Sequence, residues 1–224
     1  MENKNVTVII PAKNEENNIS NIINFTKKSK SVTQIIVVDN ASTDKTYEIA
    51  STFNVDVVRC ENAGKGYAME TGLHLAKNDV IVYLDADIEN YYDNMIEALS
   101  EPIINDECDF VKSTFDRETG GVVTEIAVKP LLLNLFPNMY KFSEPISGMI
   151  GCKKEVLEEL VFDKDYGVDI GILIDIVNGG YRFKEINIGK ISNNSHLAKT
   201  TQRMQRMSIE VMAAILKRAN LKGE

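Results

Sequence analysis

The sequence predicts an α/β protein built on a mostly parallel central sheet flanked by helices, and three observations carry that prediction. Short β-branched runs without polar alternation recur in the first half, at Val6 to Ile10, Ile35 to Val38, Val55 to Val58 and Val80 to Leu84. Runs of this kind are strands buried on both faces. Helical patterns lie between them, over Glu16 to Lys28, Thr43 to Phe53 and Gly66 to Ala76, and such alternation marks right-handed βαβ units. Three of the strands then end in polar residues: Pro11-Ala12-Lys13-Asn14-Glu15, Asp39-Asn40 and Asp85-Ala86-Asp87. Open α/β sheets bind ligands at the carboxyl ends of their strands, so these segments are expected to converge on one crevice.

The second half is less regular. Phe110 to Phe115 reads as a strand, and Val122 to Phe136 as a helix broken or kinked near Pro130. A short helix is expected from Lys153 or Lys154 to about Leu160, and another from Tyr166 through Val177, stopped by Gly179-Gly180. Tyr181 to Ile191 reads as a strand pair or one bent strand, and Leu197 to Leu221 as a terminal helix. Met204, Met207, Val211, Met212 and Ile215 line one side of that helix, a stripe that suits packing against the body of the protein, with a homodimer contact as the alternative. Asp116 to Gly121 reads as a charged, glycine-containing mobile loop. Nothing resembling a linker or repeat divides the chain, so one continuous domain is expected over residues 1–224.

Composition narrows the function. A net charge of -8, from 25 basic and 33 acidic residues, excludes a general electrostatic grip on nucleic acid, so any phosphate must be bound locally. Cys60, Cys108 and Cys152 have no paired spacing, which predicts reduced thiols and a cytoplasmic protein. The apolar runs fall far short of the roughly 20 residues of a membrane-spanning helix. The few polar residues before Val6 predict that there is no signal peptide.

Several residues can carry chemistry. Asp85 and Asp87 follow an apolar strand, where two carboxylates can share a hard cation such as magnesium or manganese, or simply form a turn. Asp39 is either a turn former or an acceptor for a ring or ribose donor group. Ser42 or Thr43 is the expected N-cap of the helix that follows. In Asn62-Ala63-Gly64-Lys65-Gly66 the glycines allow close backbone approach, and Lys65 places a charge near a helix N-terminus. That suits a diphosphate, although the spacing is not that of a P-loop. His196, among Asn193, Asn194 and Ser195, is a further metal ligand or a surface histidine beside a capping serine. His74 reads as structural, on a helix packed against the sheet.

In order, Val8-Ile9-Ile10-Pro11-Ala12-Lys13-Asn14-Glu15-Glu16, Ile36-Val37-Val38-Asp39-Asn40-Ala41-Ser42-Thr43-Asp44, Gly64-Lys65-Gly66 and Asp85-Ala86-Asp87 resemble the nucleotide-sugar glycosyltransferases of GT-A fold. The second half resembles a narrower group, the glucosyl-3-phosphoglycerate synthases and their mannosyl relatives. The stretches that carry this are Phe110-Val111-Lys112, Val123-Thr124-Glu125 with Lys129-Pro130-Leu131-Leu132, and Glu144-Pro145-Ile146-Ser147-Gly148. Tyr166-Gly167-Val168-Asp169-Ile170-Gly171 with Ile174-Asp175, and Ile188-Gly189 before His196, complete the match.

The resemblance implies a Rossmann-like GT-A fold with a C-terminal helix, a nucleotide-binding half over about 1–90 and an acceptor-binding half over about 91–224. It implies that Pro11, Ala12, Asn14, Glu15, Asp39, Ser42 and Asp85 line the nucleoside pocket, that Lys65 meets the diphosphate, and that Gly148 belongs to the backbone wall against the hexose. Asp87 and His196 would ligate Mg2+ or Mn2+. Tyr166 and Asp169 would lie near the sugar and acceptor as catalytic residues, with Lys112, Gly121 and Thr124 on the acceptor side. The implied partners are a donor of UDP-glucose or GDP-mannose type, a small-molecule acceptor and a second copy of the chain.

Three positions depart from the family pattern. Val122 stands where phosphoglycerate-using members carry an arginine, which removes a fork for phosphate or carboxylate. Ala198 replaces a polar Asn, and Asp169 stands where Glu is usual. Retention at the anomeric carbon is implied by the resemblance, whereas an inverting enzyme would use a carboxylate such as Asp169 as base; both stay open. A nucleotidyltransferase needs a glycine- and arginine-rich phosphate loop that Pro11 to Asn17 lacks. A non-catalytic nucleotide-sugar sensor fits the lost arginine, against which stand the retained Lys65, Asp87 and His196.

Overall fold

Apolar runs that alternate with helices must bury both of their faces, and the computed structural model, which describes residues 5–88, 90–117, 121–191 and 201–220, shows how they do so. The strands are β1 (Val6–Ala12), β2 (Val32–Asp39), β3 (Asp56–Arg59), β4 (Val80–Tyr83), β5 (Phe110–Arg117), β6 (Ile150–Lys153) and β7 (Phe183–Ile191). They form one sheet in the order β3-β2-β1-β4-β6-β5-β7. Every pairing is parallel except those of β6, which runs against β4 and β5. The mostly parallel sheet is therefore as expected, with one reversed strand.

The helices are α1 (Ile19–Thr26), α2 (Thr46–Ala50), α3 (Lys65–Leu75), α4 (Met95–Ile104), α5 (Lys129–Leu135), α6 (Lys154–Glu158), α7 (Val168–Asn178) and α8 (Thr201–Asn220). Val8 and Ile10 of β1 pack with Ile19, Ile22 and Ile23 of α1 and with Met95, Ile96 and Leu99 of α4. Ile9, on the other face, packs with Ala68, Met69 and Leu73 of α3 in a cluster that extends to Leu173 of α7 and Ile215 of α8. Each such side chain contributes about 1.5–3 kcal/mol on burial, so the two faces together hold the sheet.

Several elements differ from the sequence reading. Helix α1 is regular from Ile19 rather than Glu16, and the turn before it is bonded to the loop after β2: Glu15 N–H donates to Thr46 Oγ1 at 2.7 Å and Glu16 N–H to Asp44 Oδ2 at 3.1 Å. Ser42 and Thr43 do not cap α2, which starts later. Asp44 Oδ1 instead accepts from Thr46 N–H at 3.0 Å. Near Pro130 the expected break takes the form of a π-helical stretch, Thr124–Val128, immediately before α5. Proline has no N–H to donate and its ring crowds the carbonyl four residues back, so a wider turn accommodates it. Tyr181 to Ile191 yields the single strand β7, and His74 is exposed rather than packed on the sheet.

Helix α4 and strand β6 were not anticipated. In α4, Met95, Ile96, Leu99 and Ile103 form a buried stripe, but Pro102 interrupts the helical pattern. In β6, a β-carbon on Gly151 would stand 2.0 Å from the Leu99 carbonyl oxygen, so glycine is needed where α4 crosses the strand.

Helix α8 is bound by charge as well as by apolar contact. Arg218 is 4% exposed, and its guanidinium reaches Asp163 at 2.5 Å and Asp175 at 2.6 Å. Among the described residues no helix is long and apolar enough to cross a membrane.

Candidate active site

The carboxyl ends of β1 and β2 lie level, with Ala12 opposite Asp39, and β4 ends beside them. The loops that leave these strands are tied to one another. Asn14 adopts a left-handed backbone (φ 57°); its N–H donates to Ser42 Oγ at 2.9 Å and its Oδ1 accepts from Thr43 N–H at 2.8 Å. Asn40 Nδ2 donates to the Asn62 carbonyl at 2.9 Å, and Asn40 Oδ1 accepts from Gly64 N–H at 2.8 Å. Ala12, Asn14, Asp39, Asn40, Ser42 and Gly64 are thereby brought together at the carboxyl ends of β1 and β2. Asp44, which ties the loops together with Asn40, was not singled out from the sequence.

Asp39 is 3% exposed, and its Oδ1 finds no hydrogen-bond partner among the described residues. A buried acceptor left so costs about 1–3 kcal/mol, and a ligand N–H or O–H would relieve that cost.

At the centre, Lys65 Nζ pairs with Asp85 Oδ1 at 2.8 Å and with Asp169 Oδ2 at 2.9 Å. These residues come from α3, from the end of β4 and from the first turn of α7. Burial works against the lysine charge, but Asp169 and then Asp85 outweigh it and hold the ammonium charged well above the usual lysine range. The Asp169 carboxyl is pushed up by burial, with Lys65 pulling the other way. Asp169 is 7% exposed, and its Oδ1, like that of Asp39, lacks a partner among the described residues. Gly148 closes this centre from the side, because any side chain there would strike Lys65 and Asp85.

The glycines around Lys65 serve a different purpose from the one expected. A β-carbon on Gly64 would lie 2.2 Å from the Lys164 carbonyl oxygen, and one on Gly66 would lie 1.7 Å from that of Asp163. The segment before α7 therefore presses on this loop. Asp165 Oδ1 accepts the Lys65 N–H at 3.2 Å, and Asp165 Oδ2 pairs with Arg206 of α8 at 2.6 Å. The N-terminus of α3 is thus covered by the chain's own carboxylate, and Lys65 meets the crevice through its side chain. Nothing near Asp165 in the sequence marks this role. Glu210 of α8 accepts the N–H of the half-buried Tyr166 at 3.1 Å and so ties the segment before α7 to α8.

On the expected acceptor side, Lys112 is fully buried, with its Nζ donating to the Ser147 carbonyl at 2.6 Å. Thr124 is 1% exposed at the start of the π-helical stretch, and Gly121 has a φ of 79° at its entrance. Lys112 and Thr124 lie beneath the surface rather than on it.

Asp87 stands half-buried on the turn after β4. Burial first, and then the charges of Asp87 and Glu15, push the Tyr91 hydroxyl above the usual tyrosine range, so both carboxylates lie near that hydroxyl. Asp85 is paired to Lys65, and Asp87, two residues on, carries a second hard oxygen donor on the same turn. That chemistry fits magnesium or manganese, which take oxygen ligands and leave positions for phosphate and water. Among the described residues no three histidine, cysteine or acidic groups surround a common metal position. His196, the other expected ligand, lies outside the described residues.

The sequence model of glycosyl transferase family 2 matches residues 7–161. The glucosyl-3-phosphoglycerate synthase of Mycobacterium tuberculosis is 30% identical over 97% of this chain and 74% of its own length. Its structure with Mn2+, UDP-glucose and phosphoglyceric acid superposes with a TM-score of 0.90 at 30% identity, covering 96% of this chain and 80% of that one. The same enzyme with Mg2+ and UDP gives 0.89 at 30% identity, covering 96% and 79%. These matches confirm the GT-A fold and the glycosyltransferase activity expected from the motifs. A family model that matches residues 7–161 and a relative 30% identical over 97% of the chain lead to one conclusion: this protein belongs to glycosyl transferase family 2.

Proposed function

We propose that this glycosyltransferase moves a hexosyl group, glucose from a UDP-glucose-type donor in the first instance, to a hydroxyl of a small glycerate-type acceptor. The observation that carries the reading is two unpartnered buried oxygens, Asp39 Oδ1 at the end of β2 and Asp169 Oδ1 on a carboxylate paired with Lys65. Asp39 suits a donor group of the base or ribose, and Asp169 a sugar or acceptor hydroxyl. Donors of GDP-mannose type satisfy the same chemistry and form the second arm of the test.

In this reading Pro11, Ala12, Asn14, Glu15, Ser42 and Asp85 line the nucleoside side, while Gly148 gives the hexose a flat backbone wall. Lys65 supplies fixed positive charge where the diphosphate leaves, already oriented by its two carboxylates. A cation held by Asp87, with His196 as the proposed second ligand, adds charge against the leaving diphosphate when bound. Tyr166 and Asp169 position the acceptor hydroxyl, with Gly121 and Thr124 shaping the pocket behind it.

An acceptor other than phosphoglycerate is the second reading, favoured by Val122, which is 48% exposed and aliphatic. The division into a nucleotide half and an acceptor half belongs to the same proposal, within the single domain that the continuous sheet supports. Homodimerisation is supported by the exposed Ile209 and Leu216 of α8, and a cytoplasmic location by three buried free cysteines.

The test is a thermal-shift panel of UDP-glucose and GDP-mannose, with and without Mn2+, followed by transfer to phosphoglycerate and other hydroxyl acceptors. A bound ligand should raise the melting temperature. Asp87→Ala should lose the metal-dependent part of the shift, and unchanged affinity in that variant would overturn the site assignment. Binding without turnover across the acceptor panel would replace the enzyme reading with that of a sensor.

A further inference from the structure

Lys112 has no exposed surface. Lysines are rarely buried so completely without an ionic partner, because desolvating an ammonium is costly. Yet its hydrogen bond among the described residues goes to a neutral group, the Ser147 carbonyl, at 2.6 Å. The next residue grips the same point: Ser113 Oγ lies 2.7 Å from Ser147 Oγ, and Ser113 N–H donates to the Met149 carbonyl at 3.2 Å. Ser147 leads directly into Gly148, which faces the Lys65–Asp85 pair. The charged groups around Lys112 are Asp169 of α7, Asp85 after β4, Glu144 before β6 and Lys65 of α3.

We propose that Lys112 is a positioning residue of the donor site. Its ammonium fixes the Ser147–Gly148 wall against Lys65 and Asp85, and supplies positive charge facing Asp169. A methionine would fill the same volume but would leave the Ser147 carbonyl without its donor. Burial draws the Lys112 ammonium down to about 8, against the opposing pull of Asp169, Asp85 and Glu144. Above that pH the charge facing Asp169 is lost, and the charge-assisted bond to Ser147 becomes a weaker neutral one. This inference rests on the donor-transfer reading above.

The experiment compares wild type, Lys112→Met, Lys112→Arg and Ser113→Ala in magnesium-dependent turnover of the nucleotide sugar, from about pH 6 to pH 9.5, with melting temperatures recorded alongside. For wild type, kcat/KM for the donor reports the free enzyme and should fall through a midpoint near 8. Lys112→Met should lose that alkaline limb and raise donor KM about tenfold, the size of one lost charge-assisted hydrogen bond. Lys112→Arg, which stays charged, should abolish the limb while retaining donor KM within about threefold. Ser113→Ala should raise donor KM a few-fold and keep the limb. Wild-type donor KM and an unchanged alkaline limb in Lys112→Met would overturn the proposal. Should Lys112→Met and Lys112→Arg fail to fold, unchanged donor KM in Ser113→Ala overturns it instead. A wild-type protein that binds no nucleotide sugar sinks the transfer reading, and this inference with it.

Discussion

A β-carbon added to Gly148 would stand 2.2 Å from Lys65 Nζ and 2.5 Å from Asp85 Oδ1. The wall of the crevice is therefore backbone in direct contact with its central ion pair. Gly148→Ala must push that pair aside, at an overpacking cost of about 1–3 kcal/mol. We expect donor affinity to fall by roughly ten- to a hundredfold while the melting temperature drops only a few degrees. Calorimetric titration with the nucleotide sugar checks this, and wild-type affinity would show that the wall is not part of the donor site.

Lys65 separates two carboxylates that would otherwise face each other. Lys65→Ala is expected to lower kcat by about a hundredfold, as when one preorganised charge-stabilising group is lost. It should also destabilise the fold by about 3–5 kcal/mol at neutral pH, because buried charges lose their partner. That loss should shrink on acidification, when Asp169 takes up a proton. Urea unfolding at two pH values measures it, and a pH-independent loss would contradict the assigned pairing.

Burial raises the Asp169 carboxyl above its ordinary value of 3.8. The acid limb of kcat/KM should therefore have its midpoint above that value, and Asp169→Asn should be nearly inactive. Stability carries the opposite sign. Folded Asp169 holds its proton more tightly than the unfolded chain, so ionising it costs stability as pH rises through the folded value. Asp169→Asn should consequently match or exceed wild-type stability at neutral pH, which denaturant melts can decide.

Arg218 and Arg206 both tie α8 to the segment before α7, but they differ in burial. Arg218 is 4% exposed between Asp163 and Asp175, whereas the side chain of Arg206 is 65% exposed. Arg218→Ala should cost about 3–5 kcal/mol, since two partly buried carboxylates lose their cation. Arg206→Ala should cost under about 1 kcal/mol. Equal effects in chemical denaturation would contradict this division.

Much of the nucleotide side was legible in the sequence. Strands buried on both faces write themselves as unbroken apolar runs, and the residues where they end must be polar if they line a ligand crevice. Asp39, Lys65 and Asp85 were therefore visible from local pattern, together with the first four strands themselves. Helix α4 was hidden by Pro102, and β6 by its four-residue length and by Gly151, whose meaning lies in the Leu99 carbonyl above it.

By itself, the sequence determined the α/β class, the parallel half of the sheet and the strand ends that meet at the crevice, because side-chain periodicity acts over a few residues. Only the tertiary structure decided what those residues touch. Lys65 reaches Asp169 across 104 positions, and Lys112 reaches Ser147 across 35. Contacts at such separation are set by the order in which strands pair and helices cover them. No local pattern distinguished the exposed Lys13 beside the crevice from the buried Lys112 beneath it.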